Sequence, residues 1–394
     1  MTLIQHGAKQ NVDDLPTPAL LVEQSRLEGN IASMQARANE ADVRLRPHTK
    51  THKSVALARL QQSAGAKGIT VAKVSEAEVF AAAGFNDIRI AYDVVGAGKI
   101  RRIAELSKTT KVSFCVDTAD GARQASAVLA EAAVDVDVLI EIDTGQGRTG
   151  VPWDDDDVVG LARVVSTLPG LRYVGVLTHG GYGYYGPKGG ESAEEALRRA
   201  AGEEQGRIGR VVKALRGAGH PPTEVSIGST PTLRYLGESQ GSGEPVITEV
   251  RPGNYVFHDR TQVGLGVVGW QECALTVLTT VVSRRRDHDG TERLYLDAGK
   301  KVFTSDGAFG AGGFGQILYN ARRMVPLPHA DIVGLSEEHA WVSVLGGSTL
   351  EVGDRVRVVP NHACVVVNNM PVLHVVDGDE VVETWDVDAR GCVE

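Results

Sequence analysis

From Ser25 onward, eight short β-rich runs alternate with helix-length stretches, and this alternation limits the fold more than any other feature. The runs are residues 44–50 (RLRPHTK), 68–73 (GITVAK), 87–92 (DIRIAY), 111–117 (KVSFCVD), 137–143 (DVLIEID), 171–180 (LRYVGVLTHG), 224–229 (EVSIGS) and 249–256 (EVRPGNYV). Stretches between them, such as VSEAEVFAAAG, carry apolar residues at helical spacing and end in glycine. A helix-length segment follows each of the first seven runs. The count predicts a closed (β/α)8, TIM-like barrel rather than an open doubly wound sheet.

After residue 265 the rhythm changes. ALTVLTTVVSRR, RLYLDAGKK, WVSVL, DRVRVVP, ACVVVNN, PVLHVV and EVVETWDV are short β-branched runs separated by Gly and Asp, the pattern of an all-β domain. TPALLVEQ also reads as a strand. The expected organisation is an N-terminal strand within residues 1–24 joining the β domain, an α/β barrel over 25–265, and a C-terminal all-β domain over 266–394.

The net charge of −9, with no Lys/Arg-rich run, argues against a nucleic-acid or anionic-membrane partner. Cys115, Cys273, Cys364 and Cys392 fit neither a disulfide framework nor a CxxC metal knuckle. MTLIQHGAKQNVDD lacks an apolar signal core, and no run approaches the ~20 apolar residues needed to cross a bilayer. The expected location is cytoplasmic.

Barrels of this kind place function at the C-terminal ends of their strands. Strand one ends in RPHTKTHK, with Lys50 last on the strand. A lone lysine there is usually a surface residue, but one pointing into a barrel mouth is desolvated, which favours the neutral amine needed for a Schiff base. Lys53 is the competing candidate and is expected to face solvent. Strand five ends in EIDTGQGRTG, whose Arg148 either reaches a phenolic or carboxylate oxygen or pairs with Asp143. Strand six ends in THGGYGYYG, which brings His179 and several tyrosines to the mouth or forms a mobile loop.

Strand seven ends in SIGSTPT, where the amides of Gly228, Ser229 and Thr230 with two hydroxyls suit an anion. Strand eight adds backbone from Gly253 and Asn254 and the hydroxyl of Tyr255 beside it. In VVPNHACVVVNN, His362 and Cys364 alternate on a predicted strand and so share a face. An imidazole and a thiolate so placed suit Zn²⁺; the alternative is a buried Cys and a satisfied His in a β core.

Together RPHTKTHK, EIDTGQGRTG, SIGSTPT, RPGNYVFHD and the HxC of PNHAC resemble the D-serine dehydratase / D-threonine aldolase family, over residues 17–390. These are alanine-racemase-like, fold type III pyridoxal-phosphate enzymes. The resemblance implies that Lys50 carries pyridoxal 5'-phosphate covalently and acts as a base once freed. It places Arg148 near the cofactor's O3′ and the phosphate on Gly228, Ser229, Thr230 and Tyr255. It implies that His362 and Cys364 hold a divalent metal (Zn, Mn or Mg) that binds the substrate's β-hydroxyl, and that the enzyme is a homodimer.

The implied substrate is a D-3-hydroxy amino acid. GSTPT and HAC resemble the dehydratase branch, whereas QGRTGV and WDVDARG are at least as aldolase-like. Dehydration to a 2-oxo acid and ammonia is the expected reaction. The alternative is retro-aldol cleavage with His179 taking the hydroxyl proton, and a racemase is a remote third reading.

Overall fold

Two prolines shape the mouth of the barrel. The computed structural model describes residues 10–238 and 246–394, in two units: the described residues up to Ile31 with Val256–Arg390, and those from Ala32 to Tyr255 with Gly391–Glu394. Among the described residues the second unit has a path of eight parallel strands, in chain order Arg44–Leu45, Ile69–Val71, Asp87–Asp93, Lys111–Val116, Val136–Asp143, Leu171–Thr178, Glu224–Ile227 and Glu249–Val250, with the short Val151–Pro152 paired off it beside the fifth. They lie side by side in the order one, eight, seven, six, five, four, three, two. A parallel bridge between His48 and Thr70 joins the two ends of that path.

Strands one and eight are shorter than their sequence runs. Neither Pro47 nor Pro252 has an N–H to give to a ladder, so regular pairing stops before each. The chain then turns through 3-10 segments at Thr49–Thr51 and Asn254–Val256. Lys50 therefore sits on a turn just beyond a strand rather than on the strand itself.

Near the opposite, N-terminal end of the strands the interior is ionic. Glu249, fully buried, accepts from Arg46 Nε at 2.7 Å, from Ser226 Oγ at 2.7 Å and from Arg89. Arg46 also forks onto Asp87 at 2.8 and 3.1 Å, and Arg89 pairs with Glu224. Burial alone would raise the Glu249 pKa; Arg89 and Arg46 outweigh it and hold the carboxyl at about 2, below its ordinary 4.5.

Glu249→Gln would leave two buried guanidinium groups undercompensated and should cost roughly 3–5 kcal/mol, read from equilibrium denaturation. Because the folded-state pKa is depressed, this contribution is fully present above pH 4.5 and is lost as pH falls toward 2. A Glu249→Gln variant as stable as the parent at pH 7 would refute this reading.

The first unit carries a ten-stranded sheet in which Ala19–Glu23 pairs with Leu275–Arg286 and with Val372–Asp377. Leu275–Arg286 also pairs with Arg355–Val359, closing part of the sheet into a ring through Glu292–Leu296, Ala340–Val344, Val325–Leu335 and Gln316–Asn320. One predicted strand is not a strand. Residues Ala363–Asn369 of ACVVVNN form a helix, because Asp259 accepts from the Ala363 N–H at 3.0 Å and starts it. Ala363, Val366 and Val367 then bury at helical spacing, and tertiary packing overrides the β preference of three successive valines. Among the described residues no helix is long and apolar enough to cross a membrane.

Candidate active site and metal pair

The chemistry-bearing residues of the barrel unit gather where the strands end. Lys50 lies on the Thr49–Thr51 turn, which His48 caps by accepting the Lys50 N–H at 3.5 Å. His179 follows strand six, and its ring is hydrogen-bonded to the Gly228 backbone. Burial, then Lys50, Arg251 and His179, push the His48 pKa well below the ordinary imidazole range. Burial, then Lys50, Arg148 and Arg251, do the same to His179. Lys50 is thus flanked by two imidazoles that burial and the neighbouring cations keep uncharged.

Lys53 does not face solvent. It is buried, pairs with Glu76 Oε1 at 3.1 Å and donates to the Cys392 carbonyl at 2.8 Å. Its charge is already committed to that carboxylate and carbonyl.

Asp143 is not the partner of Arg148. Its carboxylate accepts the N–H groups of Gly145, Gln146 and Gly147 at 2.7–2.8 Å and shapes the loop. Arg148 instead donates to Glu141 Oε1 at 3.3 Å, and Thr149 reaches the same oxygen at 3.1 Å. Burial, then Glu141 and Asp117, push the neighbouring Asp93 up to about 8. At neutral pH it is therefore mostly uncharged and adds little repulsion. The glycine-rich stretch after His179 packs against this loop: Tyr182 is buried, and the Tyr185 hydroxyl donates to the Gln146 carbonyl at 3.3 Å.

The anion nest is partly engaged within the protein. Gly228, at φ 111°, gives its N–H to Glu204 at 2.9 Å, and Ser229 N–H points to the Thr232 hydroxyl at 3.3 Å. Burial raises the pKa of Glu204. Thr230 Oγ1 accepts the Tyr255 N–H at 3.1 Å and ties loop eight to loop seven, while the Tyr255 hydroxyl accepts from Gln61 at 2.9 Å. At Gly253 a Cβ would stand 2.6 Å from Thr51 Oγ1, so only glycine allows loop eight this close to the Lys50 turn.

Arg251 was not singled out from sequence. It is buried and donates to the Thr178 carbonyl at 2.6 Å, yet its Nε and Nη1 have no partner among the described residues. Two orphaned donors beside Lys50 and His179 are costly unless a bound acceptor satisfies them. An aromatic nitrogen, a carboxylate or a phosphate would do so. The available signal was a charged residue leaving a barrel strand, two positions before Gly253.

In the other unit, His362 and Cys364 meet at a strand-to-helix turn rather than alternating on a strand. His362 is the extended N-cap of the Ala363–Asn369 helix, and its ring is hydrogen-bonded to both Cys364 and Asp306. Burial would lower the His362 pKa, but Cys364, Asp259 and Asp306 outweigh it and raise it to about 10. These surroundings favour a cation. Among the described residues no three His, Cys, Asp or Glu side chains form a ready-made metal cage. The borderline-soft N,S pair fits Zn²⁺ with positions left for water or substrate.

Residues 22–261 match the family model for the alanine racemase N-terminal domain, and residues 274–376 match that for a serine dehydratase domain. The chain belongs to the D-serine dehydratase / D-threonine aldolase family of pyridoxal-phosphate enzymes. It is 35% identical to D-threo-3-hydroxyaspartate dehydratase of Delftia sp. (strain HT23), covering 94% of this chain and 97% of that one. It is also 35% identical to D-threonine aldolase of Arthrobacter sp., covering 95% and 93%. A solved structure of D-threonine aldolase from Filomicrobium marinum superposes with a TM-score of 0.84 at 29% identity, covering 98% and 99%. Within the family, then, identity leans equally toward a dehydratase and an aldolase.

Proposed function

We propose that this lyase dehydrates D-3-hydroxy amino acids such as D-serine or D-threonine, releasing a 2-oxo acid and ammonia. The reading of dehydration rests on GSTPT and HAC, the dehydratase-like forms of two motifs. When bound, pyridoxal phosphate supplies an electron sink at Cα, and a divalent cation supplies Lewis acidity toward a hydroxyl. Lys50 holds the cofactor and, once released, takes the Cα proton. Gly228, Ser229, Thr230, Gly253, Asn254 and Tyr255 hold the phosphate, Arg148 attends the phenolic oxygen, and Arg251 donates to a remaining acceptor. His362 and Cys364 hold the cation. A cytoplasmic homodimer completes the proposal.

Retro-aldol cleavage is the second reading: QGRTGV and WDVDARG are at least as aldolase-like, and His179, which follows strand six, would take the hydroxyl proton. The products separate the two. Incubation with D-threonine should yield 2-oxobutanoate and ammonia, while L-threonine, with Cα inverted, should yield neither. Glycine and acetaldehyde as the main products from D-threonine would replace dehydration with aldol cleavage.

A further inference from the structure

Asp306 belongs to no motif singled out in the sequence, yet it makes a close polar contact with the candidate metal pair. Its Oδ2 lies 2.6 Å from Nδ1 of His362. The segment that carries it is held by buried groups. Asn361, the residue immediately before His362 and fully buried, donates from Nδ2 to the carbonyls of Asp306 and Gly313, both at 2.8 Å. Arg260, also buried, donates to the carbonyls of Gly312 at 2.7 Å and Gly315 at 3.1 Å, and lies 3.4 Å from Asn361 Oδ1. One residue thus grips the glycine-rich 306–315 segment while its neighbour in sequence supplies the imidazole. A surface loop with no task has no need of two buried polar clamps.

We infer that Asp306 is a positioning residue for the metal: it accepts the Nδ1 proton of His362, fixes the ring, and presents the Nε2 lone pair to a divalent cation beside Cys364. The inference rests on reading His362 and Cys364 as a metal pair. A neutral imidazole carries its proton on one nitrogen only, so a carboxylate at Nδ1 selects the tautomer whose Nε2 is free to ligate. It also makes Nε2 more basic and limits rotation of the ring. Loss of such an outer carboxylate typically weakens metal affinity about 10–100-fold.

The test is a zinc titration of chelator-stripped holoenzyme in competition with a chromophoric zinc chelator, on wild type, Asp306→Ala, Asp306→Asn and His362→Ala. Asp306→Ala should bind Zn²⁺ about 10–100-fold more weakly than wild type. Asp306→Asn keeps an acceptor without its charge and should fall between them; it carries the test if the alanine variant does not fold. With Co²⁺ in place of Zn²⁺, the thiolate charge-transfer band from Cys364 should persist in both Asp306 variants, because the sulfur ligand is intact. A role confined to folding would lower the thermal midpoint and leave zinc affinity unchanged, and that result overturns the inference alone. Absence of zinc binding by wild type, or wild-type affinity in His362→Ala, overturns the metal reading and this inference together.

Discussion

Lys50→Ala should remove the visible absorption of the holoenzyme and lower lyase turnover by roughly 10²–10⁴-fold or more, the contribution of a positioned proton-transfer group. The loss follows from the surroundings of Lys50. Its two imidazole neighbours are kept neutral by burial and by the cations around them, so no competing positive charge sits on either ring. Lys53 cannot stand in, because Glu76 and the Cys392 carbonyl already hold its ammonium. Borohydride treatment of the wild type should therefore fix the cofactor to the peptide containing Lys50, with Lys53 unlabelled, as peptide mapping would show. Label on Lys53, or a colourless wild-type protein, would refute the assignment. Lys53→Met should instead destabilise the fold by leaving Glu76 buried without its partner.

The barrel strands were legible because buried parallel strands are written as short apolar runs between helices, a local signal. What escaped was set by contacts distant in sequence. ACVVVNN reads as a strand from its valines, and only Asp259, about a hundred positions earlier, turns it into a helix. His362 and Cys364 therefore do not alternate on a strand face; they sit at an extended N-cap and in the first turn of a helix. The pairing of Arg148 with Glu141 rather than Asp143 has the same origin. The nearer carboxylate in sequence spends its oxygens on three loop amides, leaving Glu141, two residues earlier on the same strand. Arg251 and Asp306 stand in no recognisable spacing, and only the fold reveals what each one faces.

Removal of divalent cations should have the second large effect, because hydroxide is a poor leaving group. A Lewis acid stabilises the developing charge by several kcal/mol, so thorough chelation should cost roughly 10³-fold or more in turnover. The visible absorption should remain, since the residues proposed to hold the cofactor belong to the barrel unit and include neither His362 nor Cys364. Zn²⁺ should restore activity to the wild type but not to Cys364→Ala, which lacks the sulfur ligand. Lowering the pH should weaken cation binding, because both ligands must lose a proton to coordinate. The direction is fixed by the surroundings: Cys364, Asp259 and Asp306 raise the His362 pKa to about 10, so a cation competes with a proton for that ring at neutral pH. Each unit of acidity then costs binding, and zinc affinity measured between pH 6 and 8 should rise steeply with pH. Activity that survives both chelation and Cys364→Ala would make the pair structural and leave the Lys50 assignment intact.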